Sequence, residues 1–247
     1  MITELMRPNW PAPTGVCALT TTRAGGVSVA PYDRLNLADH VGDDIAHVLE
    51  NRRLLRDSLR LPAEPVWLQQ VHGTVAVPAG PGQVGAVADA SYTHARGVVC
   101  AVMTADCLPV LFCDRDGRSV AAAHAGWRGL VNGVLEQTVS KMDVAPEKLL
   151  AWLGPAIGPA AFEVGGEVRQ AFVDHQAQAA QAFVVNRPGH FLADLYALAR
   201  LRLQACGVDA IYGGEYCTFS QPDCFFSYRR QSRTGRMASL IWLDNGG

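Results

Sequence analysis

The sequence predicts an α+β (mixed α/β) fold: layered mixed β-sheets with helices packed on their outer faces. Apolar β-type runs and amphipathic helical stretches are interleaved, but without the regular spacing of βαβ units. Several β-type runs are neighbours in the chain with only a turn between them. Together these features call for sheets of mixed direction covered by helices. A chain of 247 residues, 49% of them hydrophobic, can hide roughly three quarters of its unfolded surface without covalent staples. That length accommodates one large domain or two small ones.

Residues 1–14, broken by Pro8, Pro11 and Pro13, read as a loose lead-in. Val16–Thr22 reads as a strand that ends at Arg23-Ala-Gly-Gly26, a turn suited to glycine's backbone freedom. Gly26–Asp44 is polar and irregular, and long ordered loops are often functional. Asp43 or Asp44 caps a helix over Ile45–Leu59, on which Arg52, Arg53 and Arg56 form a solvated face. A strand over Val66–Val71 leads to His72 and Gly73, and Thr74–Val77 continues it. Val98–Met103, Leu108–Cys113 and Ser119–Ala123 are three apolar β-type runs, the last two joined by the hairpin turn Asp114–Arg118. A helix is expected over Leu130–Met142, a short strand over Leu149–Leu153 and a helix over Gly166–His175. Residues 176–192 carry little pattern. Leu192–Cys206 is an amphipathic helix with Asp194 near its start and Gly207 just past its end. Met237–Leu243 is the last strand.

Composition removes several function classes. A net charge of −2 without Lys/Arg runs gives no bulk attraction to nucleic acid or to an anionic membrane. No apolar stretch reaches transmembrane length, and the first residues lack a secretory apolar core, so a cytoplasmic protein is expected. Seven cysteines without a CxxC pair argue against a disulfide framework and against a zinc finger. Cys17, Cys100, Cys113 and Cys206 sit in apolar runs and read as small buried hydrophobes. No Walker sequence and no GxGxxG is present. No coiled-coil seam or sticky strand is readable, and a monomer is expected.

The densest chemistry lies between Gly97 and Gly133. Cys107 follows the break between two β-type runs, His124 closes a third, and His72 closes a fourth. Strand ends fix the backbone yet leave side chains open, so a rigid scaffold can present reactive groups there. Two imidazoles and a thiolate suit zinc, with three protein ligands and one open position as in catalytic sites. The same residues allow a metal-free reading, in which Cys107 is a nucleophile activated by His72 or His124 and Asp106 or Asp89 orients the base. Sequence does not separate these readings, because ligand and nucleophile both require a thiolate beside imidazole. A second feature is a set of loop residues, Arg23, Asn36, Arg128, Arg229, Arg230 and Arg236, whose guanidinium forks suit phosphate or carboxylate.

Several motifs resemble one known family. These are Thr21-Thr-Arg-Ala-Gly-Gly-Val-Ser28, Leu35-Asn-Leu37, His40-Val-Gly-Asp-Asp44, Gln70-Val-His-Gly73, Thr104-Ala-Asp-Cys107, His124-Ala-Gly-Trp-Arg-Gly129, Gly154-Pro-Ala-Ile-Gly158 and Phe226-Ser-Tyr-Arg-Arg230. Through them residues 15–243 resemble the YfiH-type laccase-domain family. Members have been called polyphenol oxidases, purine nucleoside phosphorylases and peptidoglycan editing factors. The resemblance implies a single compact domain over 15–243 and a metal held by His72, Cys107 and His124. It implies phosphorolysis of adenosine, inosine, guanosine or methylthioadenosine, and deamination of adenosine.

Zinc is the expected ion, with Cu2+ as the alternative, and a purine nucleoside and phosphate are the expected partners. A multicopper oxidase needs many histidine ligands, whereas this chain has seven histidines in all. A peptidoglycan-precursor amidase at the same centre, a copper-dependent polyphenol oxidase and a metal-binding module without turnover are the alternatives. On the nucleoside reading, Asp106, Asp89 or Glu163 moves the proton, while Arg23, Arg229 and Arg236, with Asn36, hold the phosphate.

Overall fold

The computed structural model describes residues 4–245. Its two main sheets lie face to face. The first is antiparallel, in the order β1 (Leu5–Met6), β2 (Val16–Thr21), β13 (Met237–Leu243), β5 (Val99–Thr104). The second is mixed, in the order β12 (Ala210–Gly213), β8 (Leu149–Leu153), β6 (Leu108–Asp114), β7 (Val120–Ala125), β4 (Ala90–Thr93), β3 (Ala76–Pro78). A small antiparallel sheet joins β10 (Phe183–Arg187), β11 (His190–Ala193) and β9 (Glu163–Gly165).

Side-chain alternation along the strands explains the layering. In β5, Val99, Ala101 and Met103 face an outer core with Leu35, Leu37 and Leu55, whereas Cys100 and Val102 point between the sheets. In β6, Leu111 and Cys113 meet them there, together with Trp152 and Ile241. Leu108, Val110 and Phe112 face away, onto the helical side. Strands buried on both faces read as nearly continuous apolar runs, as Val99–Met103 and Leu108–Cys113 do. Helix α1 (Ile45–Leu59) covers the first sheet, with the Asp44 carboxylate capping Ala46 N. Helices α2 (Trp127–Asn132), α3 (Val134–Lys141), α4 (Gly166–His175) and α5 (Leu195–Ala205) contribute to the core beyond the second.

Five elements differ from expectation. The single helix expected over Leu130–Met142 is two helices, because Gly133 adopts φ 100° and turns the chain. Val66–Val71 makes only isolated bridges, Val66 to Cys100 of β5 and Gln69 to Val87, and so forms no strand of either sheet. The last helix begins at Leu195 because Asp194 caps Ala197 N, and Leu192 pairs with Val184 in the β10–β11 hairpin. A 3-10 helix over Ala177–Ala182 and that hairpin fill the weakly patterned stretch 176–192. Gly26–Asp44 is not a surface loop throughout: Leu35, Asn36, Leu37 and Ala38 are fully buried beneath α1. Within the lead-in, Leu5 and Met6 pair with Thr21 and Thr20. No helix among the described residues is long and apolar enough to cross a membrane.

Candidate metal centre

The link between β5 and β6 carries the chain from one sheet to the other. Residues 105–107 make that crossing, and Asp106 takes φ 90° to do so. Cys107 therefore emerges at the junction of the two sheets. Strand register then determines its neighbours. Leu108 pairs with Ala125 and Pro109 with His124, which sets Cys107 beside Gly126. Ala90 pairs with Ala123, which sets Asp89 beside His124, and His124 N donates to Asp89 O at 2.7 Å.

Asp89 organises the rest. Its side chain is wholly buried. Its Oδ1 accepts from His124 Nδ1 at 2.8 Å and from His72 N at 2.9 Å. Its Oδ2 accepts from Gly73 N at 2.7 Å and Val71 N at 3.2 Å. One carboxylate thus orients the ring of His124 and holds the backbone on which His72 sits at φ 60°. With Nδ1 of His124 engaged, its Nε2 is the nitrogen free to face the centre. Gln70 adds a second anchor, donating from Nε2 to Met103 O at 2.8 Å and accepting from Met103 N at 2.7 Å.

His72, Cys107 and His124 converge, with one donor atom of each within 4.8 Å of the others. His72 Nε2 lies 3.6 Å from Cys107 Sγ. Bond lengths of about 2.3 Å to sulfur and 2.0–2.1 Å to nitrogen put tetrahedral donors about 3.5 Å apart, so these side chains fit one shared ion. Gly126 leaves the space: a Cβ there would lie 2.7 Å from His72 Cδ2 and 3.0 Å from Cys107 Sγ. Burial raises the Cys107 thiol, but the charge of His124 and hydrogen bonds from His124 and His72 outweigh it and bring the thiol down to about 6. Burial works against the charge of His124, yet the Cys107 thiolate and Asp89 together lift it to about 9. A thiolate held beside imidazole is the state in which sulfur ligates a metal.

The three donors line a cavity of ≈ 460 Å³ that also takes in His40, Gln70, Phe162, Tyr228, Arg229 and Arg236. That volume lies within the range of small-molecule sites. Arg236 is half-buried; its Nη1 donates to Thr234 O and Gly235 O, and no hydrogen bond uses Nε or Nη2 among the described residues. Arg229 lies over Phe162 at 5.5 Å.

The structure does not bring every expected residue here. Glu163 is outside the cavity: on β9 it alternates with Phe162 and binds Arg187 and Asn186 of the β10–β11 hairpin. Arg23 is spent on Asp33 O and Pro222 O and lies over Phe226, in a separate shallow cavity. Asn36 is fully buried and holds Asp43, Ala38 and the backbone N of Arg236. Asp89 lies behind the two histidines and does not line the cavity. Asp106 does line it, but its carboxylate binds Thr218 Oγ1 and Arg229 N, both at 2.6 Å. Gln70 was visible in the Gln70–Gly73 motif, yet only the fold reveals its bond to Met103. Tyr228 and Phe162 face the cavity from loops whose direction periodicity does not encode.

Four layers, α/β/β/α, with a two-histidine, one-cysteine donor set lining a small-molecule cavity define the molecule's class. A family model described as "Multi-copper polyphenol oxidoreductase laccase" matches residues 17–244, and the chain belongs to that family. A Pseudomonas aeruginosa protein named purine nucleoside phosphorylase is 60% identical over 241 residues, 97% of this chain and 98% of that one. The Escherichia coli protein named purine nucleoside phosphorylase YfiH is 58% identical, over 98% of this chain and all of that one. A crystal structure of a Neisseria meningitidis protein of the DUF152 family superposes with a TM-score of 0.95 at 53% identity, over 98% of this chain and 100% of that one.

Proposed function

We propose that the protein is a zinc-dependent purine nucleoside enzyme. It cleaves adenosine, inosine, guanosine or methylthioadenosine with phosphate and also deaminates adenosine, acting in the cytoplasm. The observation that carries this reading is the convergence of His72, Cys107 and His124 in a cavity rimmed by two arginines. The names of the relatives at 60% and 58% identity support it.

Zinc held by the three donors would supply Lewis acidity at the cavity wall. Two nitrogens and one sulfur favour zinc over a multicopper arrangement, for which the cavity has too few imidazoles. Arg236, with two nitrogens uncommitted, and Arg229 hold the phosphate. Phe162 and Tyr228 supply flat surfaces against which a purine stacks. In phosphorolysis a phosphate oxygen forms a bond to C1′, the C1′–N9 bond breaks, and its electron pair leaves with the base. Asp106 keeps Arg229 in place through its backbone N.

Chromatography of products from inosine and adenosine, with and without phosphate, tests the reading. Free base and ribose 1-phosphate that appear only with phosphate, and vanish in Cys107→Ala, support it. Full turnover by metal-free Cys107→Ala would refute it.

A further inference from the structure

We infer that His40 is the proton donor to the departing base, an inference that rests on the nucleoside reading. Three carboxylates were candidates for moving a proton, and the fold occupies all of them. Asp89 accepts four hydrogen bonds behind the histidines. Glu163 lies outside the cavity in an ion pair with Arg187. Asp106 accepts two short bonds that clamp Thr218 and Arg229. With the metal donors and the arginines assigned, two titratable groups of the cavity remain, His40 and Tyr228. Imidazole is the side chain that exchanges protons near neutral pH.

His40 has the placement the role needs. It is exposed at the end of the buried segment Leu35–Ala38, so its backbone is anchored while its ring meets solvent. Its Nδ1 lies 3.4 Å from Asp39 Oδ1, a loose contact that leaves the far edge of the ring uncommitted. It lines the metal cavity and also an adjoining cavity of ≈ 430 Å³, which shares Gln70 and Met103 with the first and reaches Arg52. The charged and titratable groups around it are therefore Asp39 and Arg52 on one side. Across the metal cavity they are Asp106, Cys107, His72, His124, Tyr228, Arg229 and Arg236.

In the step, the imidazolium of His40 passes its proton to a nitrogen of the purine as the C1′–N9 bond breaks. The electron pair of that bond stays on the base, which leaves neutral. Hydrogenphosphate loses its proton on becoming the sugar ester, and solvent at the exposed ring returns it to His40.

The test compares wild type, His40→Gln and His40→Ala on guanosine and on 7-methylguanosine, whose base is already cationic and needs no proton to leave. For His40→Gln, kcat on guanosine falls on the order of 10²-fold, with zinc content and melting temperature unchanged. The fall on 7-methylguanosine is much smaller. Added imidazole restores part of the His40→Ala rate on guanosine and has little effect on 7-methylguanosine. Equal losses on both substrates, or no rescue of His40→Ala by imidazole, overturn the assignment and leave the nucleoside reading standing. Wild type inactive on both substrates overturns the nucleoside reading itself.

Discussion

Replacing Asp89 by alanine probes the metal centre at the residue on which both histidines depend. The change removes four hydrogen bonds: one from the ring of His124 and three from the backbone N–H groups of residues 71–73. Those donors are left in a site from which the carboxylate is wholly excluded from solvent. Each stranded donor costs about 1–3 kcal/mol, moderated where water enters the space. Removing one partner of a buried charged pair costs about 3–5 kcal/mol in all, and we expect Asp89→Ala to lose stability in that range. Loss of a group that orients a metal-binding histidine lowers metal affinity about 10–100-fold, or about 1.4–2.7 kcal/mol. The ring of one ligand and the backbone beneath the other both loosen here, so the upper end applies. Zinc affinity measured by competition with a chromophoric chelator, with calorimetry for stability, reads both quantities. Wild-type zinc affinity in a folded Asp89→Ala protein would refute the claim that this carboxylate pre-organises the donors.

Three further outcomes follow from the geometry. In metal-stripped protein, Cys107 is thiolate above about 6, so iodoacetamide labels it near neutral pH; the rate falls as the pH drops through that value, and zinc protects it, as mass spectrometry will read. Gly126→Ala drives a methyl group against His72 and Cys107 and lowers zinc affinity more than tenfold, in the same chelator competition, while the fold survives. Glu163→Gln leaves kcat and KM unchanged within about twofold, because its carboxylate serves Arg187 and not the cavity. That pair holds Glu163 down at about 2, chiefly through the Arg187 hydrogen bonds. Its small contribution to stability is therefore present above the ordinary carboxylate range and is lost as the pH falls towards 2, a trend that thermal melts in acid will detect and that Glu163→Gln abolishes.

Periodicity located what depends on local pattern. Ile45–Leu59, Gly166–His175 and Met237–Leu243 have the predicted bounds, since a capped amphipathic run or a buried apolar run carries its own boundaries. It misread Leu130–Met142, whose apolar spacing continues through Gly133 although that residue's positive φ ends one helix and starts another. The three side chains that converge were legible because each stands where an apolar run stops. Their supports were not: the grip of Asp89 on residues 71–73 and His124 depends on pairing between strands distant in sequence. The same blindness placed Glu163 and Arg23 in a cavity that they do not reach. One-residue alternation turns Glu163 away from it, and Arg23 closes its own loop against Asp33 and Pro222.

The most direct test of the account is the metal-to-chain ratio of wild type and Cys107→Ala, measured by elemental analysis after exhaustive dialysis. One zinc per chain in wild type and almost none in the variant is the predicted result. Zinc retained at one per chain without the Cys107 thiolate, or no zinc bound by wild type, would contradict it.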